Sequence, residues 1–173
     1  MIRVSDYIFK YLSEYGVRHI FLVVGGGAMF LNDAIKKSGI EYVCFHHEQA
    51  AAIAAEGYAR TSGKLAVVCV TSGPGGLNTL TGVMGQWTDS VPVLYISGQV
   101  RLETTIQNTG LRQLGDQEIN IIDIVRPITK YAKMILEAKD IKTVLNQAIT
   151  EATTGRPGPV WLDIPLGIQS ALL

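Results

Sequence analysis

The sequence predicts an α/β fold in which a six-stranded parallel sheet lies between two layers of helices. Three observations carry this expectation. Short apolar runs without polar alternation recur along the chain, each is closed by glycine or another turn former, and most are followed by a stretch with apolar residues at helical spacing. Strands that are apolar throughout are buried on both faces, and strand–helix alternation lays parallel strands side by side beneath helices. The expected architecture is therefore three-layer α/β/α.

Val4, Ile8, Tyr11, Leu12 and Tyr15 fall on one helical face, with Ser5 and Asp6 near its start and Gly16 as its stop signal. A strand over 19–24 follows, closed by Gly25, Gly26 and Gly27, and then a helix over 29–37. The unit repeats as strand 42–45, helix 49–62, strand 65–70, helix 76–88 and strand 93–97. Residues 99–117 are polar and aperiodic, which marks a long loop, functional or poorly ordered. A short helix at 119–125, a strand at 129–134, a helix at 141–153 and a strand at 160–164 complete six strands. No repeat, low-complexity tract or charge block interrupts this order, so residues 1–173 read as a single domain.

Composition excludes several function classes. The 173 residues carry 15 Lys+Arg against 15 Asp+Glu, and the longest basic run is Lys36-Lys37, so the cationic footprint of a nucleic-acid binder is missing. The same balance argues against an anionic membrane surface as partner. With 47% hydrophobic and 17% charged residues, a chain of this size can bury roughly 70% of its unfolded surface. No run approaches the roughly 20 apolar residues of a membrane span, and the N-terminus lacks the order of a signal peptide. A cytoplasmic protein is expected. Cys44 and Cys69 lie in apolar strand-like runs and read as small core residues.

In a sheet of this kind, ligands bind beyond the carboxyl ends of the strands. Gly25, Gly26 and Gly27 stand after the first strand, and His46, His47 and Glu48 after the second. Thr71-Ser72-Gly73-Pro74-Gly75-Gly76 and Asn78 stand after the third, and Gly98 and Gln99 after the fourth. Two glycine clusters with a carboxylate between them, on one edge, make a candidate site. Glycine lets backbone approach a ligand, and the following helix N-termini offer free N–H groups.

Familiar motifs fail on single residues. A dinucleotide fingerprint from Gly25 meets Phe30 where glycine is required, and one from Gly73 meets Asn78. The one Gly-Lys pair, Gly63-Lys64, is followed by Leu65, which removes a phosphate-binding P-loop. His47-Glu48 would open a zinc H-E-x-x-H, but Ala51 holds the second histidine position, and no G-x-S-x-G occurs. Glu48 itself leaves two readings open. An acid in the first helical turn complements the helix dipole. Alternatively, the small and apolar residues 50–55 pack tightly around it and leave a carboxylate suited to exchanging a proton with a heterocyclic nitrogen.

Three segments extend the reading: FHHEQAAAIAAEGYAR at 45–60, TSGPGGLNTLTGVMGQWTDSVPVLYISGQV at 71–100 and TGRPGPVWLDIP at 154–165. Together they resemble the N-terminal, pyrimidine-binding domain of thiamine-diphosphate-dependent enzymes of the acetolactate synthase and pyruvate oxidase group, over essentially the whole chain. The resemblance implies the thiamine-diphosphate-binding fold. It also implies that Glu48 is the acid that hydrogen-bonds N1′ of the aminopyrimidine and thereby activates the cofactor for attack on a 2-keto acid such as pyruvate. By the same motif match, Gly26, Pro74, Gly75 and Asn78 fall on the cofactor side, and Gly27, Ala28 and Gln117 on the substrate side. Gly25 stands where the family has proline, which bears on the stiffness of that turn.

The departures bear on the reaction. The family's decarboxylases carry a His-His pair in the segment matching 111–113, absent here, so carboligation is favoured over simple decarboxylation. Where acetolactate synthases have Phe-Gln-Glu, this chain has Asp116-Gln117-Glu118, which leaves the acceptor substrate open. The family holds the diphosphate and Mg²⁺ with a G-D-G…N motif on another domain. The one Gly-Asp pair here, Gly115-Asp116, is followed by Gln117, so this chain provides no metal ligand and only half a site. The resemblance implies a homodimer or tetramer joined through this domain, a diphosphate-binding domain in cis or on a separate subunit, and FAD as an option in the full enzyme. A pyrimidine-side subunit of a two-subunit 2-keto acid decarboxylase, and a non-catalytic module of the same fold, remain as alternatives.

Overall fold

The computed structural model describes residues 1–107 and 109–173. Its frame is β1 (His19–Leu22), β2 (Glu41–Cys44), β3 (Ala66–Val70), β4 (Val93–Gln99), β5 (Tyr131–Met134) and β6 (Val160–Pro165). Every pairing is parallel and the order across the sheet is β2-β1-β3-β4-β6-β5. The helices are α1 (Val4–Tyr15), α2 (Met29–Lys37), α3 (Glu48–Ser62), α4 (Pro74–Leu77), α5 (Leu80–Asp89), α6 (Ile121–Val125), α7 (Ile141–Thr153) and α8 (Leu166–Ser170).

The helical spacing read from the sequence explains which faces are covered. In α1, Val4, Ile8, Phe9 and Leu12 are buried, and Gly16 ends the helix in the left-handed region at φ 103°, its N–H meeting the carbonyls of Leu12 and Ser13. In α7 the buried set Ile141, Val144, Leu145, Ala148, Ile149 and Ala152 recurs at helical spacing. These helices, with α2 and α8, enclose one apolar cluster against the sheet. On the opposite face, α3, α5 and α6 enclose the second. There Ala51, Ala52, Ala55 and Ala59 of α3 are buried, and α5 approaches so closely that a Cβ at Gly82 would stand 2.6 Å from that of Ala52. A buried Tyr95–Trp161 stack, with centroids 4.9 Å apart, fills the centre of this layer.

Strands β3, β4 and β6 are buried along their whole length, as their apolar runs predict. The expectation of double burial fails at the edges, where β2 is exposed throughout and β5 is mostly half-buried. An edge strand has a neighbour on one side only, and the helices centre on the middle of the sheet. Cys44 lies on β2 and is exposed, which corrects its reading as a core residue, whereas Cys69 on β3 is buried. The helix expected over 76–88 is two helices, α4 and α5. Gly75 and Gly76 are weak helix formers, and the buried Thr79 hydroxyl donates to the Gly76 carbonyl at 2.7 Å between the two pieces. The aperiodic segment after β4 contains a single 3₁₀ turn, Leu102–Thr104, among its described residues. Helix α8, after the last strand, adds an element the periodicity did not indicate.

Candidate active site

From β1 the chain crosses to β2 on one side, whereas from β3 it continues to β4 on the other. That reversal leaves a crevice beyond the carboxyl ends of β1 and β3. Three turns meet there. After β1, Gly26–Ala28 form one 3₁₀ turn, and the Gly27 N–H donates to Thr71 Oγ1 at 3.0 Å. Gly98 at the end of β4 lies directly against this turn, since a Cβ on it would stand 2.0 Å from the Gly27 carbonyl oxygen. After β3, Gly73 takes φ 53°, a conformation that disfavours any side chain. Its Cα faces the Gln117 carbonyl so closely that an added Cβ would come within 1.9 Å.

Glu48 is the first residue of α3. His47 precedes it in extended conformation, and its Nδ1 accepts the Gln49 N–H at 3.1 Å, which caps the helix. The helix dipole favours an acid in this first turn. Glu48 Oε2 accepts Asn78 Nδ2 at 2.9 Å across 30 residues of sequence. Beneath the carboxylate lies the buried Gly75, where a Cβ would stand 3.6 Å from Glu48 Oε1 and 2.7 Å from Thr71 Cγ2. Among the described residues no hydrogen bond reaches Oε1. The result is a carboxylate with one oxygen oriented by an amide and the other without a hydrogen-bond donor among the described residues. That donor and acceptor set fits the edge of a planar nitrogen heterocycle.

The structure brings Glu48, Gly75 and Asn78 together, with Pro74 exposed at the first position of α4. Gly26 is exposed on the neighbouring turn with open space where a Cβ would stand, and Gly27 packs against Ser72 and Thr71. Gln117 reaches the site through its backbone, in the left-handed region at φ 55°, with its side chain exposed. Ala28 differs from its substrate-side assignment. It is fully buried in the core shared with α2 and α8, so its methyl group faces packing and not the crevice. Tight apolar packing around Glu48 is likewise not found, because the residue is half-buried on a rim beside the exposed β2. Gly25 is extended at φ −169°, a value the proline ring does not reach, so this turn is built differently from one with proline.

Thr71, which ties the β1 and β3 turns together, received no role from the sequence. A hydroxyl directly after an apolar strand and before a glycine run was the available signal. Clefts of about 430 and 510 Å³ lie elsewhere, the first lined by Met84, Trp87, Lys130 and Arg156 and the second by Tyr15, Arg18 and Lys64. Glu48 borders neither.

A parallel α/β domain with an oriented carboxylate at the point where the strand order reverses belongs to the class of open α/β folds that bind a ligand beyond the carboxyl ends of their strands. Residues 2–123 match the family described as thiamine pyrophosphate enzyme, N-terminal TPP binding domain, and the chain belongs to it. The chain is 41% identical over 162 residues to the acetolactate synthase large subunit of Haemophilus influenzae, covering 93% of this chain and 27% of that protein. It is 42% identical over 170 residues to the acetolactate synthase large subunit of Lactococcus lactis, covering 96% and 28%. With the chloroplastic acetolactate synthase of Arabidopsis thaliana the identity is 38% over 172 residues, covering 97% and 24%. The chain thus spans about a quarter of the length of these relatives.

Proposed function

We propose that this chain provides the aminopyrimidine side of a thiamine-diphosphate site in an acetolactate synthase-like carboligase that acts on a 2-keto acid such as pyruvate. The observation that carries this reading is the Glu48–Asn78 pair above Gly75, with no hydrogen bond to Glu48 Oε1 among the described residues. Bound thiamine diphosphate supplies the electron sink for decarboxylation and carbon–carbon bond formation. Glu48 holds and moves a proton at the ring nitrogen N1′. Asn78 fixes the direction of that carboxylate, while Pro74 and Gly75 would form a wall for the bound ring. The Gly26-Gly27 turn borders the side from which substrate enters.

Among the described residues no group of three or more His, Cys, Asp or Glu side chains could hold an ion, so Mg²⁺ and the diphosphate are assigned to another region, and FAD to no residue of this chain. Closure of the rim over Glu48 is assigned to a neighbouring subunit in a homodimer or tetramer. Exposed Ile53 on α3 and exposed Met84 and Trp87 on α5 support this, since large apolar side chains on adjoining helices favour an interface. The loss of the aromatic at Asp116 bears on the acceptor, which we place at a second carbonyl compound.

The test uses the polypeptide as its cells make it, with Mg²⁺ present. Calorimetric titration with thiamine diphosphate should give saturable binding, and pyruvate should then yield acetolactate with release of carbon dioxide. Absence of thiamine diphosphate binding sinks the proposal. Binding with carbon dioxide and acetaldehyde but no acetolactate would instead favour a decarboxylase.

A further inference from the structure

Behind the candidate site runs a buried polar chain to which the proposed chemistry gives no task. Asp163 on β6 is fully buried, and its partners are a hydroxyl and an amide in place of a cation. Its Oδ1 accepts the Ser97 hydroxyl at 2.6 Å, and its Oδ2 accepts Gln99 Nε2 at 3.0 Å. Ser97 Oγ in turn accepts Trp161 Nε1 at 2.8 Å. Gln99 is also fully buried and is engaged at both ends of its amide. Besides Asp163, its Nε2 donates to the Ile119 carbonyl at 3.0 Å, while its Oε1 accepts the Val100 N–H at 2.9 Å. A buried amide with both ends paired is held in one orientation.

Ile119 lies two residues beyond Gln117, whose carbonyl sits against Gly73. Gly73 opens α4, and Asn78 closes it with its amide on Glu48. The network therefore lies directly beneath the turn that backs the wall of the site. We propose that Asp163 and Gln99 are positioning residues, which through Ile119 hold the Gln117 turn against Gly73 and so set the Asn78 amide on Glu48. The identity of the ligand rests on the functional reading above. The positional contact is a property of this chain alone.

The chemistry of the pair explains why an acid stands at 163. Ionised, the Asp163 carboxylate accepts at both oxygens, so Ser97 and Gln99 both donate to it, and Gln99 Nε2 keeps its second hydrogen for Ile119. An amide at 163 offers one acceptor and one donor, and would turn Gln99 away from Ile119. A shift of about 1 Å at the turn is enough to lose a directed hydrogen bond such as that from Asn78.

Exchanging the two functional groups separates positioning from mere stability. In the double variant Gln99→Glu with Asp163→Asn, the amide now on β6 can donate to the carboxylate now on β4 and accept from Ser97, and that carboxylate still accepts from Val100. The count of acids is unchanged, but Ile119 loses its donor. The variant is made in the polypeptide as its cells make it and compared with the unaltered protein by thermal unfolding, by amide hydrogen exchange without ligand, and by thiamine diphosphate affinity. The expected result is an unfolding midpoint within roughly 3 °C of the unaltered protein. Amide exchange at Glu118, Ile121, Leu77 and Asn78 should be about tenfold faster, and affinity about tenfold weaker.

Unchanged exchange and affinity in a stable double variant would overturn the proposal, because a purely structural pair is rescued by the exchange. Should the double variant not fold, Gln99→Met, which also lacks the donor to Ile119, is read by the same measurements. Failure of both to fold overturns the proposal, since the network then serves folding. If the unaltered protein binds no thiamine diphosphate, the functional reading falls, and the ligand-free exchange data still decide the positional contact on their own.

Discussion

Asn78 Nδ2 donates to Glu48 Oε2 at 2.9 Å, and this bond joins the turn after β3 to the first residue of α3. It leaves one carboxylate oxygen directed and the other free. A group that hands a proton to a ring nitrogen needs that division, because its reach and angle must be set before the ligand arrives.

Glu48→Gln should therefore abolish the proposed proton function and spare the fold. Glu48 is half-buried on the rim and makes no ion pair among the described residues, so the unfolding midpoint should stay within a few degrees. In the complete, cofactor-loaded protein, exchange of the thiazolium C2 proton should slow about 100- to 10,000-fold, the range of general acid–base catalysis. Exchange at the unaltered rate would remove Glu48 from the mechanism.

Asn78→Asp replaces the donor with a second carboxylate beside the first. Like charges at hydrogen-bond distance repel, and removing a hydrogen bond to a charged group costs about 1.5–3 kcal/mol. Thiamine diphosphate affinity should fall by roughly 10- to 100-fold, while Asn78→Ser, which keeps a short donor, should lose less. Equal affinities across the three proteins would show that the bond does not orient the acid.

Gly26 and Gly98 border the same crevice and should respond oppositely to a methyl group. A Cβ at Gly26 meets nothing within 4 Å, whereas one at Gly98 would stand 2.0 Å from the Gly27 carbonyl oxygen. Gly98→Ala should cost about 3 kcal/mol in urea unfolding through overpacking against backbone, and Gly26→Ala should stay within about 0.5 kcal/mol. Equal costs would mean that the β1 turn yields to the intrusion.

Much of the fold was legible because each element is periodic. Helices α1, α2 and α7 occupy the spans that their apolar spacing and caps predict, and β3 begins one residue later than its apolar run. Edge position is a property of topology and not of composition, so the exposure of β2, and of Cys44 with it, could not be read from an apolar run. At the site, Glu48 and the glycine turns were legible as chemistry at strand ends. The resemblance put Asn78 at the same site, but its hydrogen bond to Glu48 was not legible, because 30 residues separate the two and only the crossing of β3 beside β1 brings them together. Ala28 followed a motif match that cannot distinguish a methyl facing the crevice from one facing the core. The buried polar chain of Ser97, Gln99 and Asp163 was hidden for a related reason. Asp163 stands 64 to 66 residues from its two partners and meets them only in the register that sets Ser97 opposite it.

That chain also gives the protein a pH signature. Burial pushes the Asp163 carboxyl up from 3.8 to about 7, against the lowering effect of the Ser97 and Gln99 hydrogen bonds and with the negative charge of Glu118 adding to the rise. The folded state then holds a proton that the unfolded chain releases between these values. The stability this contributes is complete below about pH 3.8 and is lost as pH rises through about 7. Asp163→Asn has no such proton. The midpoint of the unaltered protein minus that of the variant should therefore be largest near the acid end and shrink steadily between about pH 5 and pH 8, in paired thermal unfolding scans at constant ionic strength. A difference that stays constant across that range would mean that Asp163 does not change its protonation on folding.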